Sequence, residues 1–208
     1  MHHPRFVYAG KELKKDGKVL IMIHGRGGSA EDILTLSQYL QVEDFTLVAP
    51  GATNGSWYPY SFMAPQEANE PWLSSALKML EDLLAELEKQ GVDKERIYLL
   101  GFSQGACLTL EFVARNAGLY GGVAAFTGGL IGQNLQAENY TGDFKGTPIF
   151  IGSSDPDPHV PKDRVLESET ILRNLGAEVT VKIYPNMGHT IGQDEIDTAN
   201  SHIFGRRN

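Results

Sequence analysis

"YLLGFSQGACLTLEF", residues 98–112, places a serine between two glycines where an apolar stretch meets a helical pattern. Glycine weakens both strands and helices, so packing alone does not favour Gly101 and Gly105 at this junction. The Gly-x-Ser-x-Gly pattern by itself is a weak signal. At the end of a strand and the start of a helix, it predicts a sharp, strained turn that exposes the serine hydroxyl at one edge of a sheet. Ser103 is therefore the candidate nucleophile.

Short apolar segments alternate with helical patterns along the chain. Strands are predicted at 6–10, 18–23, 45–50, 96–101, 121–127, 147–152 and 178–185. Several of them are apolar without alternation, which is typical of parallel strands covered on both faces. Ser29 is placed to cap one intervening helix, and leucines from Leu73 to Leu87 form an apolar stripe on another. The alternation predicts an α/β protein, a three-layer α/β/α sandwich with a mostly parallel central sheet, built as one domain over residues 1–208.

Composition and charge exclude several classes of protein. The chain has 208 residues, of which 41% are hydrophobic and 21% charged, as in soluble globular proteins. A net charge of −8 argues against nucleic acid and anionic membranes as partners. The single cysteine, Cys107, fits a reducing compartment and is expected to be buried. With no signal peptide or spanning segment in the pattern, we expect a cytoplasmic protein without stable membrane association. The histidines near the termini, His2, His3 and His202, are expected to be solvated.

A nucleophilic serine needs a histidine base and a carboxylate that orients the base. After this type of serine turn the partners follow in the order Asp or Glu, then His, each behind a later strand. His189 follows the last predicted strand, and Asp155 and Asp157 follow the strand before it. Asp157 lies between two prolines that restrict its backbone, whereas Asp155 is also an ordinary turn residue. We therefore predict a catalytic triad of Ser103, Asp157 and His189.

Two backbone amides are candidates for an oxyanion hole. One is the N–H of Gln104, directly after the nucleophile and at the start of a helix. The other is the N–H of Arg26, in the glycine-rich loop that follows the strand at 18–23.

The same glycine-rich loop also fits a dinucleotide-binding fingerprint. Gly25, Gly27 and Ala30 match G-x-G-x-x-G/A, and the acidic pair Glu43 and Asp44 follows at a suitable distance. The acidic pair precedes the next strand, however, whereas a ribose-binding acid stands at a strand's carboxyl end. This reading also leaves the serine turn unexplained, so we expect no nucleotide cofactor.

A metal site is the alternative for the acidic loop. Asp155, Asp157 and His159 are possible ligands, but the prolines between them hinder a chelating loop and no second cluster accompanies them. We expect neither a metal nor any other cofactor.

Five motifs carry a family resemblance. They are "HGRGG" (24–28), "GSWYP" (55–59), "GFSQGA" (101–106), "DPHVP" (157–161) and "GHTI" (188–191). Together they resemble the phospholipase/carboxylesterase family of α/β-hydrolases, which includes acyl-protein thioesterases. The resemblance implies the α/β-hydrolase fold without a large cap domain, the triad Ser103, Asp157 and His189, and an oxyanion hole of the Arg26 and Gln104 amides.

The chain departs from the family pattern at two places. Many relatives carry a hydrophobic residue where Arg26 stands, so the guanidinium is expected near the mouth of the site. The dipeptide Asp155–Pro156 lengthens the acid loop.

Segment 51–71 clusters aromatic residues, and either lines the site or is pinned onto the core. We predict Trp57, Met63 and His24 as substrate-binding residues. The expected function is hydrolysis of small-molecule short- to medium-chain carboxylic esters through an acyl-enzyme. An acyl-protein or other thioesterase is the alternative, and a non-catalytic α/β-hydrolase-fold binding protein is a third hypothesis. The protein is expected to be a monomer or homodimer.

Overall fold

In the computed structural model, which describes residues 1–205, seven strands form one sheet. They are β1 (Phe6–Gly10), β2 (Lys18–Ile23), β3 (Phe45–Pro50), β4 (Ile97–Phe102), β5 (Gly122–Phe126), β6 (Pro148–Asp155) and β7 (Glu178–Pro185). Their order is β1-β3-β2-β4-β5-β6-β7. Only the edge strand β1 runs antiparallel to its neighbour within this sheet. The predicted strands and the mostly parallel sheet are confirmed, with β6 extending to Asp155 rather than ending at 152.

Five α-helices connect or flank the strands in residues 1–205. They are α1 (Ala30–Leu34), α2 (Trp72–Lys89), α3 (Gln104–Arg115), α4 (Lys162–Asn174) and α5 (Gln193–Ala199). Ser29 caps α1 as predicted, because its side chain accepts a 3.1 Å hydrogen bond from the Asp32 N–H. A search of the described part of the chain finds no helix with both the length and the apolar character needed to traverse a bilayer.

The helices cover both faces of the sheet. The larger core contains apolar residues of α2, α3 and α4, and the smaller core contains those of α1 and α5. Alternate residues of β2 point to opposite cores: Ile21 lies in the larger and Met22 in the smaller. The predicted leucine stripe of α2, from Leu73 to Leu87, is buried. These contacts confirm the three-layer architecture and explain why the central strands are apolar on both faces.

The irregular segment 129–146 is bound by buried charged side chains. Glu111 accepts the Ile131 N–H at 2.9 Å, and Arg164 donates to the Leu130 and Gly132 carbonyls. Glu111 is fully buried. This segment therefore lies against α3 and α4 and does not form a separate cap.

Helix α3 approaches the sheet closely at two glycines. A Cβ atom on Gly105 would lie 2.1 Å from the Ile23 carbonyl oxygen and 2.5 Å from that of His24. One on Gly101 would lie 2.3 Å from the Gly105 carbonyl oxygen. No side chain fits at either position without displacing backbone, which is why glycine stands at both.

We predict that Gly105→Ala destabilises the fold by about 2–3 kcal/mol, because the added methyl group overlaps the carboxyl end of β2. Urea unfolding measures the loss. Gly51→Ala is the matched control, because a Cβ there meets no atom closer than 3.5 Å. Its free energy of unfolding should change by no more than about 1 kcal/mol. Equal stability of the two variants would contradict the close approach of α3.

Candidate active site

Ser103 occupies a strained turn between β4 and α3. Its backbone has φ 54° and ψ −119°, a left-handed conformation that is unfavourable for a residue with a side chain. Hydrogen bonds on both sides hold it: its N–H donates to the Phe126 carbonyl at 2.9 Å, and its carbonyl accepts from the Cys107 N–H at 3.0 Å. The turn that the Gly-x-Ser-x-Gly pattern predicts is therefore present.

His189 bridges Ser103 and Asp157. Its Nε2 lies 2.8 Å from Ser103 Oγ, and its Nδ1 lies 2.9 Å from Asp157 Oδ2. A carboxylate only accepts hydrogen bonds, so Nδ1 carries the proton and Nε2 is free to accept the serine hydroxyl. The loop is fixed next to His189 by a 2.9 Å hydrogen bond from the Gly188 N–H to Ser154 Oγ. The structure thus brings together three residues that lie far apart in the chain.

The carboxylate of Asp157 is shielded from solvent and well bonded. Its Oδ1 accepts the N–H groups of His159 at 2.8 Å and Val160 at 2.9 Å. Burial opposes ionisation of this group, but those two hydrogen bonds and the His189 ring outweigh burial and hold the pKa of Asp157 below its usual value. Asp157 is therefore anionic at neutral pH. A depressed pKa also means that this group stabilises the fold above its unfolded pKa, and the contribution is lost as the pH falls through the folded pKa.

Asp155, the other candidate carboxylate, is not the one that pairs with His189. Its side chain is exposed and faces Lys162, with 3.8 Å between Oδ2 and Nζ. Across residues 1–205, no three His, Cys, Asp or Glu side chains group in a way that could hold a metal ion.

The glycine-rich loop forms a tight turn beside Ser103. The Gly28 N–H donates to the Gly25 carbonyl at 3.1 Å, and Gly27 takes a φ of +78°. This turn does not use the Arg26 N–H. A Cβ on Gly25 would lie 3.4 Å from the Cβ of Ser103, so the loop and the serine are in contact.

The Gln104 amide, the other predicted donor, is at the first residue of α3. An N–H at this position has no acceptor within its own helix. Both candidate amides therefore stand on backbone that adjoins Ser103.

The Arg26 side chain is exposed and lines the cavity at Ser103, and its guanidinium is hydrogen-bonded to the protein. Nη1 donates to Ser56 Oγ at 2.8 Å and the Pro59 carbonyl at 3.0 Å, and Nη2 donates to the carbonyls of Tyr58 at 2.9 Å and Tyr60 at 2.8 Å. The Gln104 side chain reinforces the same segment through a 2.8 Å bond to the Tyr58 carbonyl. Residues 56–60 are thus fastened to the segments that carry the two candidate oxyanion amides.

A cavity of about 780 Å³ opens beside Ser103 and His189. Its walls are formed by segment 58–62 on one side and by Pro158, His159 and Val160 on the other. The His159 ring lies edge-on to His189, with 4.9 Å between ring centroids. The cluster of aromatic residues in segment 51–71 indicated this wall. It did not indicate which of those residues line the cavity.

None of the three predicted substrate contacts, Trp57, Met63 and His24, lines the cavity at Ser103. Trp57 is fully buried and donates its indole N–H to the His24 carbonyl at 2.8 Å. Met63 packs against the larger core and does not line the cavity at Ser103. His24 is buried, its Nε2 accepts the Ala52 N–H at 3.1 Å, and its Nδ1 lies 2.8 Å from the Gly25 carbonyl. Burial lowers the pKa of His24, so this ring is a neutral structural group.

His2 also departs from its prediction. It is buried, with Nε2 2.9 Å from the Trp57 carbonyl and Nδ1 accepting the Thr53 N–H at 3.1 Å. Its ring packs against Trp57 and Trp72. The start of the chain therefore covers the segment that leads to the cavity wall.

This arrangement defines a class of protein. A mostly parallel sheet presents a strained serine turn behind one strand; an imidazole behind a later strand reaches that serine, and a carboxylate behind another strand bonds the imidazole. The fold is that of the α/β-hydrolases, and the enzyme is a serine ester hydrolase. The chain belongs to the phospholipase/carboxylesterase family, which matches residues 6–205. The predictions of fold, enzyme class and family are confirmed.

Individual relatives agree with this assignment. The chain is similar to a crystal structure of a phospholipase/carboxylesterase from Dyadobacter fermentans, at 52% identity and a TM-score of 0.96 over 97% of both chains. A probable carboxylesterase SOBER1-like protein of Arabidopsis thaliana is 27% identical, covering 90% of this chain and 78% of the relative. Acyl-protein thioesterase 1 of Saccharomyces cerevisiae is 26% identical, covering 89% and 91% respectively.

We predict that Arg26→Lys loosens the cavity wall. An ammonium cannot span the acceptors that the planar guanidinium reaches, so stability should fall by about 1 kcal/mol and KM should rise. Urea unfolding and ester kinetics measure the two effects. Arg5→Lys is the matched control, because the Arg5 guanidinium forms an exposed ion pair with Glu31. Indistinguishable KM values for these variants would refute the anchoring role.

We predict that Cys107 does not react in the native protein. Burial raises the pKa of its thiol to about 12, which leaves about one thiolate in ten thousand at pH 8. Ellman's reagent should therefore modify it only as fast as the chain unfolds, and the same protein in urea provides the control. Rapid modification without urea would show that the thiol is accessible from the cavity.

Proposed function

We propose that this protein hydrolyses short- to medium-chain carboxylic esters, with Ser103 as nucleophile, His189 as general base and acid, and Asp157 as the group that orients His189. The observation that carries the proposal is the position of His189, hydrogen-bonded at 2.8 Å to the hydroxyl and at 2.9 Å to the carboxylate. Removing the proton from the hydroxyl requires a base within this distance.

In the first step, Ser103 Oγ attacks the ester carbonyl carbon while its proton passes to His189 Nε2. The carbonyl oxygen becomes an oxyanion, which the Arg26 and Gln104 N–H groups stabilise by about 3 kcal/mol per donor. Asp157 stabilises the imidazolium across the 2.9 Å hydrogen bond. When the tetrahedral intermediate collapses, the C–O bond to the alcohol breaks and Nε2 returns the proton to the departing oxygen.

In the second step, water replaces the alcohol. His189 takes a proton from the water as its oxygen attacks the acyl-enzyme, and then gives that proton to Ser103 Oγ as the carboxylic acid leaves. The electron pairs and protons balance with the side chains of this chain alone.

The cavity of about 780 Å³ supports an acyl group of modest length. Tyr58, Phe62 and Val160 supply apolar surface along it, and residues 1–205 contain no cap domain that would enclose a long acyl chain. Thioester hydrolysis follows the same steps with a thiolate as leaving group. The similarity to an acyl-protein thioesterase supports that alternative.

The cellular setting is part of the proposal. A net charge of −8 and a single buried cysteine support a soluble enzyme of a reducing cytoplasm that acts on small substrates. We propose that residues 1–208 act as one hydrolase domain, as a monomer or homodimer.

We predict that Ser103→Ala lowers kcat for p-nitrophenyl butyrate by a factor on the order of 10⁵ or more. A fluorophosphonate probe should label the parent protein stoichiometrically and leave this variant unlabelled. Ser74→Ala is the matched control, because its side chain is remote from the cavity and bonds Glu70 at the start of α2.

Labelling and activity should be unchanged in that control. A folded parent protein that neither reacts with the probe nor hydrolyses any ester from acetate to palmitate would leave the non-catalytic binding protein as the better hypothesis. Faster hydrolysis of acyl thioesters than of the matching oxygen esters would favour the thioesterase.

A further inference from the structure

A second cavity, of about 340 Å³, lies on the other side of the glycine-rich loop. Its lining includes Arg26, Asp32, Ile33, Leu36, Phe102 and Ile191. Arg26 is the only residue that also lines the cavity at Ser103. The two cavities are therefore separate spaces that meet at the loop carrying a candidate oxyanion amide.

The surface of the second cavity is mostly apolar. Ile33, Leu36, Phe102 and Ile191 provide its surface, and Ile33 is buried. Two polar side chains of its lining have partners: Asp32 Oδ2 accepts from Ser29 Oγ, and Thr35 Oγ1 donates to the Asp32 carbonyl. Its ligand should accordingly be apolar and uncharged.

Ser103 and His189 do not line this cavity, but residues close to them do. Phe102 directly precedes Ser103, and its ring centroid lies 5.5 Å from that of His189. Ile191 follows His189 by two residues. A Cβ on Gly25 would meet Phe102 at 3.3 Å and Ser103 at 3.4 Å, so the loop between the cavities touches the nucleophile.

An ester has two arms that diverge from its carbonyl carbon. We propose that the second cavity binds the alcohol arm and selects esters of apolar alkyl or aryl alcohols; this inference rests on the function proposed above, in which the larger cavity holds the acyl arm. His189 Nε2 must deliver its proton to the alcohol oxygen. Phe102 and Ile191 lie beside His189, so an alcohol leaving next to that ring has apolar surface within reach.

Leu36→Trp tests the assignment by filling the cavity from the segment Thr35–Tyr39, away from the triad. In the parent protein, kcat/KM should rise about tenfold or more from methyl to butyl or benzyl acetate. In the variant this gain should disappear, while hydrolysis of methyl acetate and fluorophosphonate labelling persist. Leu166→Trp, at a partly exposed position on α4 outside both cavities, is the matched control and should retain the gain.

A second variant, with a smaller side chain, keeps the inference testable if Leu36→Trp does not fold. Leu36→Ala enlarges the cavity and should shift the preference towards bulkier alcohols such as naphthylmethanol. If Leu36→Trp instead removed the change in kcat/KM along a series from methyl acetate to methyl octanoate, the inference would be overturned, because the cavity would then hold the acyl arm. If the parent protein hydrolysed esters without any preference among alcohols, this inference would be overturned and the proposed function would stand. Absence of both hydrolysis and labelling would overturn the proposed function and this inference together.

Discussion

The contact between α3 and the carboxyl ends of β2 and β4 is the constraint on which the rest of the site depends. Two glycines allow backbone to approach backbone there, at Gly101 and Gly105. The chain between them has no room to relax, so Ser103 is held at φ 54°. Its unfavourable backbone energy is offset by the packing of a helix whose apolar side chains lie in the core. The hydroxyl is therefore positioned by the fold rather than by local preference.

The remaining parts of the site attach to this point through polar side chains. Arg26 and Gln104 carry the candidate oxyanion amides on their backbones and bind the carbonyl of Tyr58 with their side chains. The cavity wall and the oxyanion loop are consequently one connected unit. On the opposite side, Asp157 bonds the backbone of its own loop with one oxygen and His189 with the other. Each group near the reacting carbon is thus held by a second contact that leaves its reactive face open.

Local patterns were sufficient for the strands, the helix cap and the order of the triad. A buried parallel strand needs an apolar run, and a catalytic side chain needs a loop at the carboxyl edge, so Ser103, Asp157 and His189 are recognisable in the chain. The local patterns did not indicate the direction in which the side chains of the matching motifs point. Trp57 and His24 lie in the motifs that match the family, yet both make hydrogen bonds inside the fold. The Trp57 indole donates to the His24 carbonyl, and the His24 ring accepts the Ala52 N–H. Nothing in their spacing distinguishes a residue that faces the cavity from one that supports the wall.

The sequence by itself determined the architecture, the family and the candidate nucleophile, because periodicity and glycine placement are local properties of a chain. Only the tertiary structure decided that Arg26 anchors the wall, that His2 is buried, and that a second cavity lies beside the glycine-rich loop. These outcomes depend on distances between segments remote in the chain. Such distances are set by packing of the whole molecule, which no short stretch of residues encodes.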